Sequence, residues 1–322
     1  MPLWRRGLLY FVPLFCLVAF LFLAKYTQRV RDSDFPWNPV NIRKLSEVAG
    51  EGPLSLAIIG DNLGSSLVFS EILKRIQADP DIKFVIHLGD SVYSGRRTSY
   101  LHFLERVKKH LHKPLILAVG NHELRGEGLE LYGELFGPPY FSFRVRGACF
   151  VVLNNARKRR IDPVQKSWLA RQLTNRDCAA KLVFMHMPII DPRWGPDLYQ
   201  QGALDLLDLL KRYGVSYVFF GHVHGFFSGR WGNVPYAVTG GAGAKLYGGD
   251  PEHFFFHYLK VTLGPDGKVA VQVERVEPVF SGFWNRFHYL CGEMLAFVRS
   301  HFFLFASLLL GAFLLLFFRL RG

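Results

Sequence analysis

The feature that most narrows the possible folds is a repeated ending. Short apolar runs at 54–60, 83–89, 114–120 and 215–221 each close on a glycine, and the next residue can bind metal: Asp61, Asp90, Asn121 and His222. A fifth run, KLVFMH, ends directly on His186. Runs this short and this apolar read as strands of a buried sheet. Helix-like stretches lie between them at 67–78, 98–112 and 203–212, with another beginning near Asp162, which is the rhythm of an α/β domain. Strand-like runs continue to about 276, so the second half is richer in strand. Sites in open α/β sheets assemble at strand ends, and a glycine there permits a sharp turn without a Cβ in the way of a ligand.

The side chains at these ends form a coherent donor set. Asp61 and Asp90 offer carboxylates, Asn121 an amide oxygen, His186, His222 and His224 imidazoles, and Tyr93 a phenolate. Mixed nitrogen and oxygen donors suit Fe, Mn, Zn or Co rather than Ca or Mg. Six or seven ligands exceed the need of one ion, whereas two ions about 3.5–4 Å apart, sharing one carboxylate, would use them all. Four cysteines, Cys16, Cys149, Cys178 and Cys291, show no CxxC spacing, so neither a disulfide framework nor a cysteine zinc site is expected. His87 lies inside a strand run and reads as core, or as a support behind the ligands, rather than as a ligand; His102, His110 and His112 share a stretch with lysines and read as a solvated face.

GD at 60–61, GD at 89–90, GNHE at 120–123, the lone His186 and GHVH at 221–224, in this order over about 54–276, resemble the calcineurin-like metallophosphoesterases. VTGGAGAKLY at 238–247 is similar to the family's glycine-rich stretch after that histidine pair. Within the family, GDSVY at 89–93 and LVFMH look most like purple acid phosphatases. Leu63 stands where many relatives carry a histidine, and GDNLG has one residue more than the GDxG of the purple enzymes. The resemblance implies a four-layer α/β/β/α sandwich and two divalent or trivalent ions, Fe, Mn or Zn. One ion would take Asp61, Asp90, His224 and Tyr93; the other would take Asp90, Asn121, His186 and His222, with Asp90 bridging. It also implies that His122 faces the leaving oxygen, with Glu123 orienting it. Arg96, Arg97 and Arg125 follow two motif loops and are candidates to clamp phosphate.

Two further segments, 7–24 and 300–318, are nearly free of charge and close to the length that spans a bilayer. The expected organisation is a membrane anchor over 1–24, a proline-bearing linker over 25–53, the phosphoesterase domain over 54–279, an aromatic interfacial segment over 280–299 and a second anchor over 300–322. The fold class is then an α/β sandwich flanked by two transmembrane helices. Positive charges around the spans are nearly balanced, and because long domains translocate largely regardless of charge, an extracytosolic domain is expected. The formal net charge of +13, from 39 Lys and Arg against 26 Asp and Glu, suits phosphate-rich partners. RKRR at 157–160 reads as a solvated loop that could meet anionic headgroups beside a membrane.

No Rossmann or Walker spacing and no G-x-S-x-G elbow is present. The expectation is a membrane-anchored, dinuclear metal-dependent phosphoesterase acting on phosphate mono- or diesters, with a lipid-linked phosphate as the substrate guess. Its alternatives are a nuclease-type phosphodiesterase, disfavoured by the anchors, and a non-catalytic membrane receptor for a phosphate ligand.

Overall fold

The computed structural model describes residues 30–277 except 47, 49–51, 158–159, 175–176, 191 and 194–201, with isolated positions between 283 and 311. After a single 3-10 turn at Asp32–Asp34, helix α1 (Trp37–Leu45) precedes strand β1 (Leu54–Ile59), α2 (Leu67–Ala78), β2 (Ile82–His87), α3 (Arg97–His110), β3 (Leu115–Leu117) and α4 (Gly128–Phe136). There follow β4 (Phe141–Val145), β5 (Ala148–Val152), α5 (Pro163–Leu173), β6 (Ala180–Met185), α6 (Ala203–Arg212), β7 (Tyr217–Phe220), β8 (Phe226–Trp231), β9 (Val234–Thr239), β10 (His257–Leu263) and β11 (Val269–Arg275).

The strands form two sheets, in the orders β11-β10-β1-β2-β3 and β4-β5-β6-β7-β9-β8. β1, β2 and β3 run parallel in the first, and β5, β6, β7 and β9 in the second, so both sheets present the ends of parallel strands. Alternation along the strands decides the layers. Leu56, Ile58, Phe84 and Ile86 face Phe150, Val152, Phe184 and Phe219 between the sheets. There Phe143, Phe150, Phe184 and Phe219 stack from strand to strand, with centroids 5.0, 6.0 and 5.4 Å apart. The opposite face of the first sheet is covered by α2, α3 and α4 through residues such as Phe69, Ile72, Tyr100, Leu104 and Tyr132. α5 and α6 cover the second through Leu169, Leu173, Leu206 and Leu210. The α/β sandwich expected from the sequence is therefore present, helices outside and two sheets inside. Asp162 caps α5 by accepting from the Gln165 N–H at 3.0 Å, with Pro163 at the first helical position.

Two expectations need correction. Residues 37–45 lie in the stretch read as linker, yet they form α1 and close the edge of β3. The Trp37 indole N–H donates to Leu115 O at 2.8 Å. Asn38 pairs both ways with the Leu117 backbone, donating to its carbonyl at 2.8 Å and accepting from its N–H at 2.9 Å. An edge strand exposes unpaired backbone groups, and α1 supplies their partners. Cys149 and Cys178 form a disulfide, with Cα atoms 5.6 Å apart. Cys149 opens β5 and Cys178 leads into β6, so the parallel pairing brings together two cysteines that sequence spacing keeps apart.

Among the described residues no helix is long and apolar enough to cross a membrane. Both expected spans, 7–24 and 300–318, lie outside the described residues apart from isolated positions.

Candidate metal centre

The loops that follow the parallel strands of both sheets converge at one end of the sandwich. Asp61, Asp90 and Asn121 come from the first sheet, and His186, His222 and His224 from the second. Gly89 has φ +96°, and a Cβ there would lie 2.7 Å from Gly120 Cα, so this glycine allows two motif loops to touch. Asp61, Asp90 and His222 themselves have φ of 61°, 54° and 67°, in the left-handed region that non-glycine residues seldom occupy.

One ligand atom each from Asp90, His186 and His222 lie within 4.8 Å of one another. His186 Nε2 is 3.4 Å from Asp90 Oδ1 and 3.0 Å from Asn121 Oδ1; His224 Nε2 is 3.6 Å from Asp61 Oδ1. The His222 main-chain N–H donates to both oxygens of Asp61, at 3.0 and 2.9 Å. The outer nitrogens of two imidazoles are committed to backbone carbonyls: His186 Nδ1 to Leu88 O at 2.9 Å and His224 Nδ1 to Lys245 O at 2.6 Å. Each therefore turns its Nε2 toward carboxylate or amide oxygens, where either a proton on that nitrogen or a metal ion between the two satisfies both sides.

Electrostatics point the same way. Burial drives the Asp61 carboxyl well above its ordinary value, and burial alone would do the same to Asp90 were it not for the neighbouring His186, which pulls it below. Burial opposes a charge on His186, but Asp90, Asp61 and Glu123 outweigh it and lift the imidazole to about 9. A spot that holds a proton this firmly is one that favours a metal ion. The donor set thus fits the borderline metals expected from the sequence.

His122 stands at the edge of this cluster. Its Nδ1 donates to Tyr93 O at 2.8 Å, its main-chain N–H to Asp90 Oδ1 at 2.8 Å, and its Nε2 is 3.9 Å from Asp90 Oδ2; burial pushes its pKa down. The expectation that Glu123 orients His122 is not met. Glu123 is fully buried and accepts instead from the N–H groups of Asp90 (2.7 Å), Gly120 (2.8 Å) and Ser91 (2.8 Å) and from the Ser91 hydroxyl (2.8 Å). It clamps two ligand loops, and the backbone of Tyr93 holds the His122 ring.

The ring of Tyr93 is 56% exposed and packs against His122 at 5.3 Å, outside the buried donors. Arg125 sits over that ring, 6.0 Å from its centroid, and so borders the site. Arg97 turns away from it to the Glu134 carboxylate at 2.6 Å, and Arg96 is exposed. Sequence reading passed over two features. His87 Nε2–H donates to Asn62 Oδ1 at 2.8 Å while Asn62 donates to Ser91 O at 2.9 Å, bracing the first two motif loops. Tyr247 stacks on His224 with centroids 4.8 Å apart. Asn62 directly follows a ligand, and Tyr247 ends the glycine-rich stretch; those positions were the available signals.

The family model for the calcineurin-like phosphoesterase matches residues 54–226. The chain belongs to the calcineurin-like phosphoesterase family. The enzyme class expected from the sequence, a metal-dependent phosphoesterase, stands with that membership. The chain is 30% identical over 217 residues to the human serine/threonine-protein phosphatase CPPED1, covering 60% of this chain and 67% of that protein. It is 29% identical over 215 residues to the rat protein, covering 58% and 68%. Purple acid phosphatase PPD1 from yellow lupin shares the fold with a TM-score of 0.52 at 18% identity, covering 70% of this chain and 52% of that one. The structure of PhoD does so with 0.53 at 11% identity, covering 78% of each. This chain spans about half the length of the lupin protein.

Proposed function

We propose that the chain is a membrane-anchored dinuclear metallophosphoesterase that hydrolyses phosphate mono- or diesters. The observation that carries this reading is the convergence of two sets of donors: Asp90 Oδ1 faces His186 with Asn121 beside that imidazole, and Asp61 and His224 form a second pair at the same end of the sandwich. Asp90, Asn121, His186 and His222 would hold one ion and Asp61, Asp90 and His224 the other; the Tyr93 ring, which lies against His122, stands outside these donors. Ions held there would supply Lewis acidity, lowering the pKa of a water and neutralising charge on phosphoryl oxygens. His122 has the remaining task. Its Nδ1–H is held on Tyr93 O, which leaves Nε2 to deliver a proton to the leaving oxygen. Arg125 lies where it can attract the substrate's phosphate.

The anchored placement rests on the apolar spans at 7–24 and 300–318. The Cys149–Cys178 bridge supports a domain facing an oxidising compartment. Phe283, Trp284, Phe287, Leu290 and Met294 are exposed, as an interfacial segment requires, and favour a substrate held near headgroups, including a lipid-linked phosphate. The names of the relatives favour a second reading, dephosphorylation of phosphoserine or phosphothreonine in proteins.

The test is hydrolysis of p-nitrophenyl phosphate and bis-p-nitrophenyl phosphate by the full chain in detergent, with metal analysis. Asp90→Asn and His222→Ala should lose activity by more than about 100-fold while circular dichroism stays native. Undiminished turnover in both variants overturns the mechanism, and metal binding without turnover of any ester would favour the receptor alternative.

A further inference from the structure

Two exposed tyrosines pack against imidazoles of the centre. Tyr247 is 65% exposed, its ring stacked on the His224 imidazole at 4.8 Å and 26° between planes. Lys245 has its ammonium 5.9 Å from the Tyr247 centroid, and its carbonyl receives the His224 Nδ1–H. On the His122 side the pattern repeats, with Tyr93 against that imidazole and Arg125 over the ring. Large aromatic rings this exposed are expensive to keep in water, and one that is backed by a site imidazole and held in place offers its free surface to a ligand. The loop carrying Tyr247 is also fixed. Ala242 N–H donates to Gly60 O at 3.0 Å and Ala244 N–H to Asp61 O at 2.9 Å, which ties the wall to the ligand-bearing end of β1.

We propose that Tyr247, with Lys245 beside it, is the wall that receives the leaving group, and that it selects phosphoesters carrying a flat, unsaturated ring next to the scissile phosphate. A flat ring can stack on tyrosine face to face, whereas a puckered ring of the same size cannot make that contact. The Lys245 and Arg125 cations over the two rings pair with the charge of a phosphate monoester, and as they swing to it they uncover ring face as the discriminating surface. This inference rests on the phosphoesterase reading above and narrows its substrate class.

The experiment compares kcat/KM for benzyl phosphate with that for cyclohexylmethyl phosphate, two alkyl-type leaving groups of similar size that differ in ring planarity. The wild-type chain should favour the benzyl ester about 3- to 10-fold, the range that an aromatic pair supplies. Tyr247→Ala should bring the ratio to about one, with the change mainly in KM, and Tyr247→Phe should restore it. Because the ratio is taken within one protein sample, a general loss of folding or metal affects both esters equally. A wild-type ratio near one, or a ratio unmoved in Tyr247→Ala, overturns the wall while leaving the phosphoesterase reading intact. Metal-loaded wild type that hydrolyses neither monoester overturns the wall, and inactivity on bis-p-nitrophenyl phosphate as well overturns the phosphoesterase reading. If the ratio collapses only in Tyr93→Ala, the wall is on the other side and the assignment to Tyr247 fails.

Discussion

Glu123→Gln distinguishes a loop clamp from a histidine-orienting residue. Both oxygens of this buried carboxylate only accept: one takes the Asp90 and Gly120 N–H groups at 2.7 and 2.8 Å, the other the Ser91 N–H and hydroxyl at 2.8 Å each. A glutamine must aim its NH2 at one of these pairs. Turning it toward Ser91 does less harm, because the hydroxyl can rotate and accept, which leaves the Ser91 N–H as the main orphan. One buried unpaired N–H costs about 1–3 kcal/mol, and the surviving bonds lose their charge assistance. Relief from burying a carboxylate, which raises the Glu123 pKa, offsets part of this. The net is about 2–4 kcal/mol, or a Tm lowered by about 4–16 °C in a domain of this size. Since the clamp sets the Asp90 and Asn121 loops, metal affinity should also fall by about 10- to 100-fold. Thermal unfolding by circular dichroism and calorimetric titration with Mn²⁺ measure the two effects. An unchanged Tm and unchanged metal affinity, with kcat alone reduced, would refute the clamp and restore the role first expected for Glu123.

Other consequences follow from the same packing. His257 is buried, donates its Nδ1–H to Phe255 O at 2.9 Å and accepts at Nε2 from the Thr239 hydroxyl at 2.9 Å, and burial drives its imidazole from the ordinary 6.5 down to about 4. The unfolded chain therefore takes up this proton first as pH falls, so the stabilisation is whole above 6.5 and is lost between 6.5 and 4. Wild type should lose about 3 kcal/mol more than His257→Gln over that window in urea melts, and parallel pH curves for the two would refute the assignment. Trp37→Ala should cost about 3–5 kcal/mol by thermal melting, because it empties a core position and removes the donor on Leu115 O; a loss below about 0.5 kcal/mol would mean that the segment is a linker after all.

The centre was legible in the sequence because each ligand is announced locally, by a glycine or a strand end one residue earlier. That signal picked out Asp61, Asp90, Asn121, His186 and His222, which the two sheets bring to one end of the sandwich. It could not give Glu123 its partners, since these lie on a loop 30 residues back and are reached through backbone N–H groups that carry no residue identity. Arg97 was misread for a similar reason: nearness to a motif says nothing of direction, and Glu134, one helix away, claims the guanidinium. The disulfide was hidden by register, because only the parallel pairing of β5 with β6 brings Cys149 and Cys178 together. α1 was missed because Pro36 and Pro39 resemble a linker, whereas here Pro36 caps a short helix and Pro39 sits in its first turn, where no N–H is needed, and the worth of that helix lies in tertiary bonds to β3.

The left-handed conformations of Asp61, Asp90 and His222 connect the fold to the chemistry. Each such non-glycine residue costs about 1–3 kcal/mol and persists only where its surroundings over-determine it. Here the loops bond to one another across the sheets: Asp61 N–H to Gly89 O at 3.1 Å, Leu63 N–H to Asp90 O at 2.9 Å, Gly221 N–H to His186 O at 2.9 Å and His222 N–H to the Asp61 carboxylate. The strain is thus carried by strands already packed, and the ligand geometry is set by the protein rather than gathered by an ion. Because one half of the donors rides on each sheet, their separation depends on the spacing of the sheets. That spacing is fixed by Phe84, Phe150, Phe184 and their neighbours in the layer between, so a change of side-chain volume there acts on the metal centre as directly as on stability.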